Sequence, residues 1–309
     1  MNRQTLMKRI TYMILAMLLC YGASAQDKRM AVVEFSTSYL RLQPDYESPL
    51  ETQELMGTVV EIVGEKSYWR EIITPQPYKA WCTNQGLVEM TEEELEAYLA
   101  APKVMFKGLY GHIYTQPSFK SATLCDLVGG DIMRYAGRKG RWTKVMLPSG
   151  KTGYVPSKEL KVHEGFRSIA MGEGNAESIS PEVTEAIIAE AEKLVGVPYL
   201  WGGMSSKGVD CSGLVRICHI MNGILLPRNA SQQIKCGDRV ELDELQRGDL
   251  VYFGTPATDD KPMRVTHVGI YLGNGRIIHS SHRVRINSII PGEKDYYENA
   301  HRLIAATRL

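Results

Sequence analysis

Three residues define the chemistry to look for in this chain: Cys211, His267 and His279. A thiolate is both a nucleophile and a metal ligand, and an imidazole is the side chain best suited to take a proton near neutral pH. Cys211 sits in Val209-Asp210-Cys211-Ser212-Gly213-Leu214-Val215, just behind Pro198-Tyr199-Leu200-Trp201-Gly202-Gly203. Leu214, Val215, Cys218, Met221 and Leu225 recur at helical spacing. That predicts a helix over about 211–224 with Cys211 in its first turn and Asp210 or Ser212 as its cap. The unpaired N–H groups of a first turn favour an anion, a thiolate included. A buried structural thiol is the commoner use of cysteine, so the histidines must decide.

His267 opens a strand read over Val265–Leu272, Gly273-Asn274-Gly275 reads as a tight turn, and Arg276–Ser281 returns carrying His279. A three-residue loop sets Leu272 against Arg276 and His279 opposite Gly269. Alternation then puts His267, Gly269 and His279 on one face, with diagonal neighbours roughly 7–8 Å apart. A two-residue loop at Asn274-Gly275 would send the two rings to opposite faces. The predicted set is a nucleophile, Cys211, a base, His267, and an orienting group, His279. His282 is the alternative orienting group. A metal site built from Cys211, His267 and His279 lacks the close-spaced ligand pair usual for zinc, so neither metal nor cofactor is expected. His112, His163, His219 and His301 read as packing or surface residues.

The elements that must position this set lie in a chain of 309 residues with 44% hydrophobic content, enough for two or three domains. Residues 1–25 read as a secretory signal, with Arg3, Lys8 and Arg9 ahead of the apolar run Ile10–Cys20 and the cleavage site Ala23-Ser24-Ala25. The apolar run is too short to cross a bilayer. Loss of those three basic residues takes the formal charge from +1 to −2, which is no footprint for nucleic acid. The expected location is periplasmic or extracellular. Five cysteines remain, Cys82, Cys125, Cys211, Cys218 and Cys236, an odd number that leaves at least one thiol free.

Two stretches align without gaps at an offset of 73: Pro44 on Pro117, Gly57 on Gly130, Gly64 on Gly137, Trp69 on Trp142 and Leu87 on Leu160. Each carries short β-rich runs, which predicts two small β-barrels, the first over 26–98 and the second over 99–165. Thr91-Glu92-Glu93-Glu94 is a capping box that starts a connecting helix. Residues 166–179 read as a linker. Over 180–309, helices followed by an antiparallel sheet make an α+β domain.

Four blocks occur in order: Tyr199-Leu200-Trp201-Gly202-Gly203, Val209-Asp210-Cys211-Ser212-Gly213-Leu214, Gly248-Asp249-Leu250 and His267-Val268-Gly269-Ile270-Tyr271-Leu272-Gly273, with His279 beyond them. Together they resemble the NlpC-type papain-like cysteine peptidases of bacterial cell walls. The resemblance implies cleavage of peptidoglycan stem peptides next to γ-D-glutamate, with Cys211 as nucleophile, His267 as base, His279 as third residue and Tyr199 at the oxyanion. The spaced Gly, Trp and Leu of the repeats resemble bacterial SH3-like domains. Two of these ahead of the catalytic domain resemble the YkfC-like, dipeptidyl-peptidase VI branch, which acts on stem peptides with a free N-terminal L-alanine. Matched to that branch, Glu51 in Leu50-Glu51-Thr52-Gln53, with Tyr78, Asp210, Ser212 and Ser231, would bind the alanine amine. Muropeptides are the implied partners, and a monomer is expected. Two rival readings keep the same residues: a non-catalytic cell-wall binding protein, and a papain-like acyltransferase.

Overall fold

The computed structural model describes residues 28–169, 171–172 and 178–309; the signal stretch lies outside the described residues. Its first seven strands are β1 (Arg29–Val33), β2 (Thr37–Arg41), β3 (Leu50–Leu55), β4 (Val59–Lys66), β5 (Trp69–Ile73), β6 (Lys79–Thr83) and β7 (Leu87–Met90). They form one antiparallel sheet in the order β3-β2-β6-β5-β4-β1-β7. Helix α1 (Glu92–Ala100) follows, started by a capping box in which Thr91 Oγ1 accepts from Glu94 N and the Glu94 carboxylate accepts from Thr91 N.

The next seven are β8 (Lys103–Phe106), β9 (Tyr110–Tyr114), β10 (Thr123–Val128), β11 (Ile132–Lys139), β12 (Trp142–Met146), β13 (Thr152–Pro156) and β14 (Leu160–His163). Their order, β10-β9-β13-β12-β11-β8-β14, repeats that of the first sheet. The offset of 73 that aligns the sequences also carries β4 onto β11 and β5 onto β12. Trp69 and Trp142 are buried at matching positions, each beside a tyrosine and a second aromatic ring. Asp131 joins the two sheets. Fully buried, its carboxylate accepts from Met56 N at 3.2 Å and from Val128 N at 2.8 Å. Gly57 takes φ +88° at this seam, and a Cβ there would meet the Ile132 carbonyl oxygen at 2.4 Å. A side chain at 57 would therefore force the sheets apart.

The stretch read as a linker is partly built into the fold. β15 (Arg167–Ser168) pairs in parallel with a strand at 224–225, and Ile169 is buried in the main core. Then come α2 (Pro181–Lys193), capped by Ser180, the short pair β16 (Met204–Ser205) and β17 (Gly208–Val209), α3 (Cys211–Ile220), β18 (Ile224–Leu225) and α4 (Ala230–Gln233). The strands β19 (Asp238–Val240), β20 (Leu250–Thr255), β21 (Arg264–Gly273), β22 (Arg276–Ser281), β23 (Arg283–Ser288) and β24 (Leu303–Arg308) form one sheet, ordered β19-β24-β20-β21-β22-β23. The whole is mostly β with few helices. Every residue of α3 after Cys211 is buried, as expected of a helix enclosed on all sides. Its core partners include Leu55 and Ile132 from the two N-terminal sheets as well as Val268 and Ile278 from the C-terminal one.

Replacing Asp131 by Asn turns one of its two acceptors into an amide donor facing a backbone N–H. Urea unfolding of Asp131→Asn should show a loss of about 1–3 kcal/mol, the cost of a buried unpaired polar group. An unchanged midpoint would mean the two sheets do not depend on that carboxylate.

Candidate active site

The first turn of α3 is built around Asp210. Its Oδ1 caps the helix by accepting from Gly213 N at 2.7 Å, and its Oδ2 accepts from Gly202 N at 3.0 Å. Arg228 closes on the same carboxylate, Nη2 to Oδ2 at 2.5 Å and Nη1 to Oδ1 at 3.1 Å, while Ser212 Oγ donates to Oδ1 at 3.2 Å. The fork reaches further: Arg228 Nε donates to Thr52 Oγ1 of β3 at 2.7 Å. Gly213 is required because a Cβ there would lie 2.0 Å from the Gly203 carbonyl oxygen.

The loop ahead of Cys211 is braced by both N-terminal sheets. Met204 N donates to Gln53 Oε1 at 2.7 Å, and Lys207 Nζ reaches Asp126 at 2.7 Å and Ser36 at 3.0 Å. Ser206 Oγ donates to the Leu109 carbonyl.

The Cys211 thiol faces the Val268 N–H of β21 and the Ser212 N–H of its own helix. Burial pushes the thiol up to about 11, and the Asp210 charge adds to that, while the two N–H groups and Arg228 oppose it. Tyr199 lies within electrostatic reach of the thiol, and burial raises its phenol to about 12.

On the sheet, His267 Nε2 and His279 Nδ1 are 2.7 Å apart. The turn between their strands differs from the three-residue loop expected. Gly273 pairs with Arg276 across a two-residue turn in which Asn274 and Gly275 both take positive φ, the conformation that Asn-Gly favours in a tight hairpin. A bulge between Tyr271 and Gly273 absorbs Leu272, so Tyr271 faces Ile277 and Ile270 faces Ile278. One step on, His279 lies beside Gly269, where a Cβ would be 3.2 Å from the His279 Cβ. The bulge restores the register that a two-residue turn alone would have lost. His282 is exposed and meets Tyr199 through its backbone carbonyl.

Behind His279 stands Asn287. Its Oδ1 is 3.1 Å from His279 Nε2, and its Nδ2 donates to the Asp295 carbonyl at 2.7 Å. Tyr297 stands edge-on to His279, ring centroids 4.5 Å apart. Burial, then the neighbouring His279 and Arg285, lowers His267 to about 3; burial lowers His279 to about 4, against the bond from Asn287. Both imidazoles are therefore neutral at pH 7.

A second polar group faces the loop of Gly202. Tyr78 donates its hydroxyl to Glu51 Oε2 at 2.6 Å, and the Asn229 side chain faces the same hydroxyl. Gly202, at φ +74°, packs on the backbone of Leu50 and Glu51, which ties this pair to the Cys211 loop. Asp210, expected to offer a free carboxylate here, is instead engaged by five protein donors from Gly202, Ser212, Gly213 and Arg228. Ser212 is occupied by Asp210 and Arg228. Ser231 stands apart: it is exposed and lines a groove with Met171, Ile234 and Val265. Asn229, two residues earlier at the N-cap of α4, is the residue that faces Tyr78. Among the described residues the five cysteines are all free, and no group of three His, Cys, Asp or Glu could hold a metal ion.

The NlpC/P60 family model matches residues 196–302. A gamma-D-glutamyl-L-lysine dipeptidyl-peptidase of Bacillus cereus is 29% identical over 82% of this chain and 75% of its own length. The dipeptidyl-peptidase 6 of Lysinibacillus sphaericus is 26% identical over 84% and 91%. The crystal structure of an NlpC/P60 family protein from Bacillus cereus superposes with a TM-score of 0.73 at 22% identity, over 90% of this chain and 99% of the other. That likeness shows the fold across the N-terminal sheets as well as the C-terminal one.

Arg228→Met leaves the Asp210 carboxylate buried without its counter-charge. Chemical denaturation should register a loss of about 3–5 kcal/mol. A variant as stable as the parent would show that the cap and loop contacts alone satisfy Asp210.

Proposed function

We propose that this chain, whose residues 196–302 belong to the NlpC/P60 family of cysteine peptidases, cleaves the γ-D-glutamyl–diamino acid bond of cell-wall stem peptides that carry a free N-terminal L-alanine. The observation that carries the free-amine part is the Glu51–Tyr78 pair packed on the Gly202 loop just ahead of Cys211. An ammonium removed from water needs an anion and further acceptors. Glu51 is the carboxylate left available there, with the Tyr78 hydroxyl beside it. A stem still joined to glycan presents an amide nitrogen with no charge to offer, so the same group rejects it by leaving Glu51 unpaired.

In this reading the Cys211 sulfur attacks the γ-carbonyl carbon as its proton passes to His267. His279 occupies Nε2 of that ring, which leaves Nδ1 for the thiol. The Cys211 N–H, which has no intrahelical acceptor in the first turn, and the Tyr199 hydroxyl receive the oxyanion. His267 then protonates the leaving amine, and water hydrolyses the thioester. The C=O to nitrogen bond breaks, and L-Ala-γ-D-Glu is released after the diamino acid. No metal or cofactor enters.

We assign 26–98 and 99–165 to two SH3-like units, 166–179 to their connection and 180–309 to the catalytic domain. The identical strand orders and the Trp69 and Trp142 positions support the pairing of the first two. Residues 1–25 fit an export signal, which agrees with an enzyme acting on muropeptides outside the cytoplasm, and we read that enzyme as a monomer.

Cys211→Ala should lower cleavage of L-Ala-γ-D-Glu-L-Lys by at least about a thousandfold, read by mass spectrometry, with its unfolding curve unchanged. N-acetylation of the peptide should slow the parent enzyme by at least about tenfold; equal rates for the two peptides would remove the amine pocket from the mechanism. Because burial keeps His267 neutral far below the ordinary histidine value of 6.5, kcat/KM should hold as the pH falls through 6.5 and decline only at lower pH. An acid limb at 6.5 or above would contradict a buried, neutral base.

A further inference from the structure

The bond between the two histidines leaves open which ring nitrogens carry the protons, and one residue behind them settles it. Asn287 is nearly buried, and its amide has one orientation. A main-chain carbonyl can only accept, so the group facing Asp295 O at 2.7 Å must be the Nδ2 amine. That turns Oδ1, an acceptor, toward His279 Nε2 at 3.1 Å. His279 therefore carries its proton on Nε2, and in the neutral ring Nδ1 is then an acceptor. The partner across the 2.7 Å contact must donate, so His267 holds its proton on Nε2. Its Nδ1 is left with the lone pair. The Asp295 carbonyl is itself held, since the Asp295 carboxylate is paired with Arg276 at 2.6 and 3.1 Å, and Tyr297 two residues on closes over both rings.

We infer that Asn287, fixed by the backbone of Asp295, is a positioning residue that sets the protons on both imidazoles so that Nδ1 of His267 is the basic nitrogen. This rests on the peptidase reading above. In the proton transfer, the thiol hydrogen of Cys211 moves to that Nδ1, the S–H pair stays on sulfur, and His267 becomes an imidazolium still donating through Nε2 to a neutral His279. Asn287 contributes only a dipole to that charge. The ionisable groups facing the two rings are Arg285 from β23 and Tyr297 and Glu298 from the loop ahead of β24, with Cys211 on the helix side of Tyr297.

The direct test is long-range proton–nitrogen correlation NMR on the full chain labelled with 15N-histidine, recorded near pH 7. His267 and His279 should both give the Nε2–H pattern; a Nδ1–H pattern on His279 overturns the inference. This readout needs no substrate, so it stands whether or not the peptide is cleaved. Kinetics supply the second arm. Asn287→Leu removes the acceptor and should lower kcat on the order of a hundredfold with KM changed less than about twofold. Asn287→Asp gives up the bond to Asp295 but keeps an acceptor and adds a charge. It should recover most of kcat and move the acid limb of kcat/KM up by about one pH unit or more. If the residue served only to hold β23 to the Asp295 loop, Leu and Asp would be equally damaging and neither would move the limb. That result overturns the inference, and should Asn287→Leu fail to fold, the Asp variant and the NMR pattern still decide.

Discussion

The catalytic end of this molecule depends on one buried ion pair, Arg228 with Asp210. Taking both charges out of water costs several kcal/mol, and such a pair is tolerable only when geometry is good and the remaining donors and acceptors are filled. Here they are. The carboxylate receives two N–H groups, a hydroxyl and both arms of the guanidinium, and the guanidinium sends its third arm across to Thr52. The pair thus caps α3, holds the loop of Gly202 and fastens the first sheet to the helix that presents Cys211. A second buried pair at the same seam, Glu54 with Arg216, is less well made. Their nearest approach is 3.5 Å, and burial moves both toward neutrality, Glu54 upward and Arg216 downward. Arg228 is the contact that fixes the geometry.

The consequence for recognition is one of elimination. In the proposed reading Asp210 is spent on Arg228, and the carboxylate for a ligand beside the cysteine loop comes from the first sheet, as Glu51. The Thr52 and Gln53 contacts on the same strand hold that sheet to Arg228 and to the loop ahead of α3.

The other half of the site obeys a different constraint. His267 and His279 are buried, and burial opposes charging either ring. A neutral pair gains its direction from hydrogen bonds, and the run from His267 through His279 and Asn287 to the Asp295 carbonyl ends at the paired Asp295 and Arg276 on the surface. Among the described residues that run consists of dipoles up to the Asp295 carbonyl.

Much of this was legible in the sequence where the determining physics is local. The helical period after Leu214, the cap at Asp210, the capping box at Thr91 and the 73-residue repeat each depend on local pattern, and each element formed, although the helix expected over 211–224 ends at Ile220 and Leu225 of its stripe lies in β18. The hairpin shows the limit. Asn274-Gly275 dictated the two-residue turn, but whether His267 and His279 share a face hung on a bulge at Leu272 that no local preference announces. Ser231 and Asn229 lie two residues apart, and only the start of α4 between them, packed on β21, set Ser231 at the surface and Asn229 toward Tyr78. Asn287 was silent because it sits on a third strand, a diagonal neighbour of His279 with meaning only once β22 and β23 are paired. The sequence by itself determined which atoms can react, since that is a property of residue type and local backbone. The tertiary structure decided which of them are desolvated, paired or left free, because those states depend on partners up to 176 residues away, as Thr52 is from Arg228.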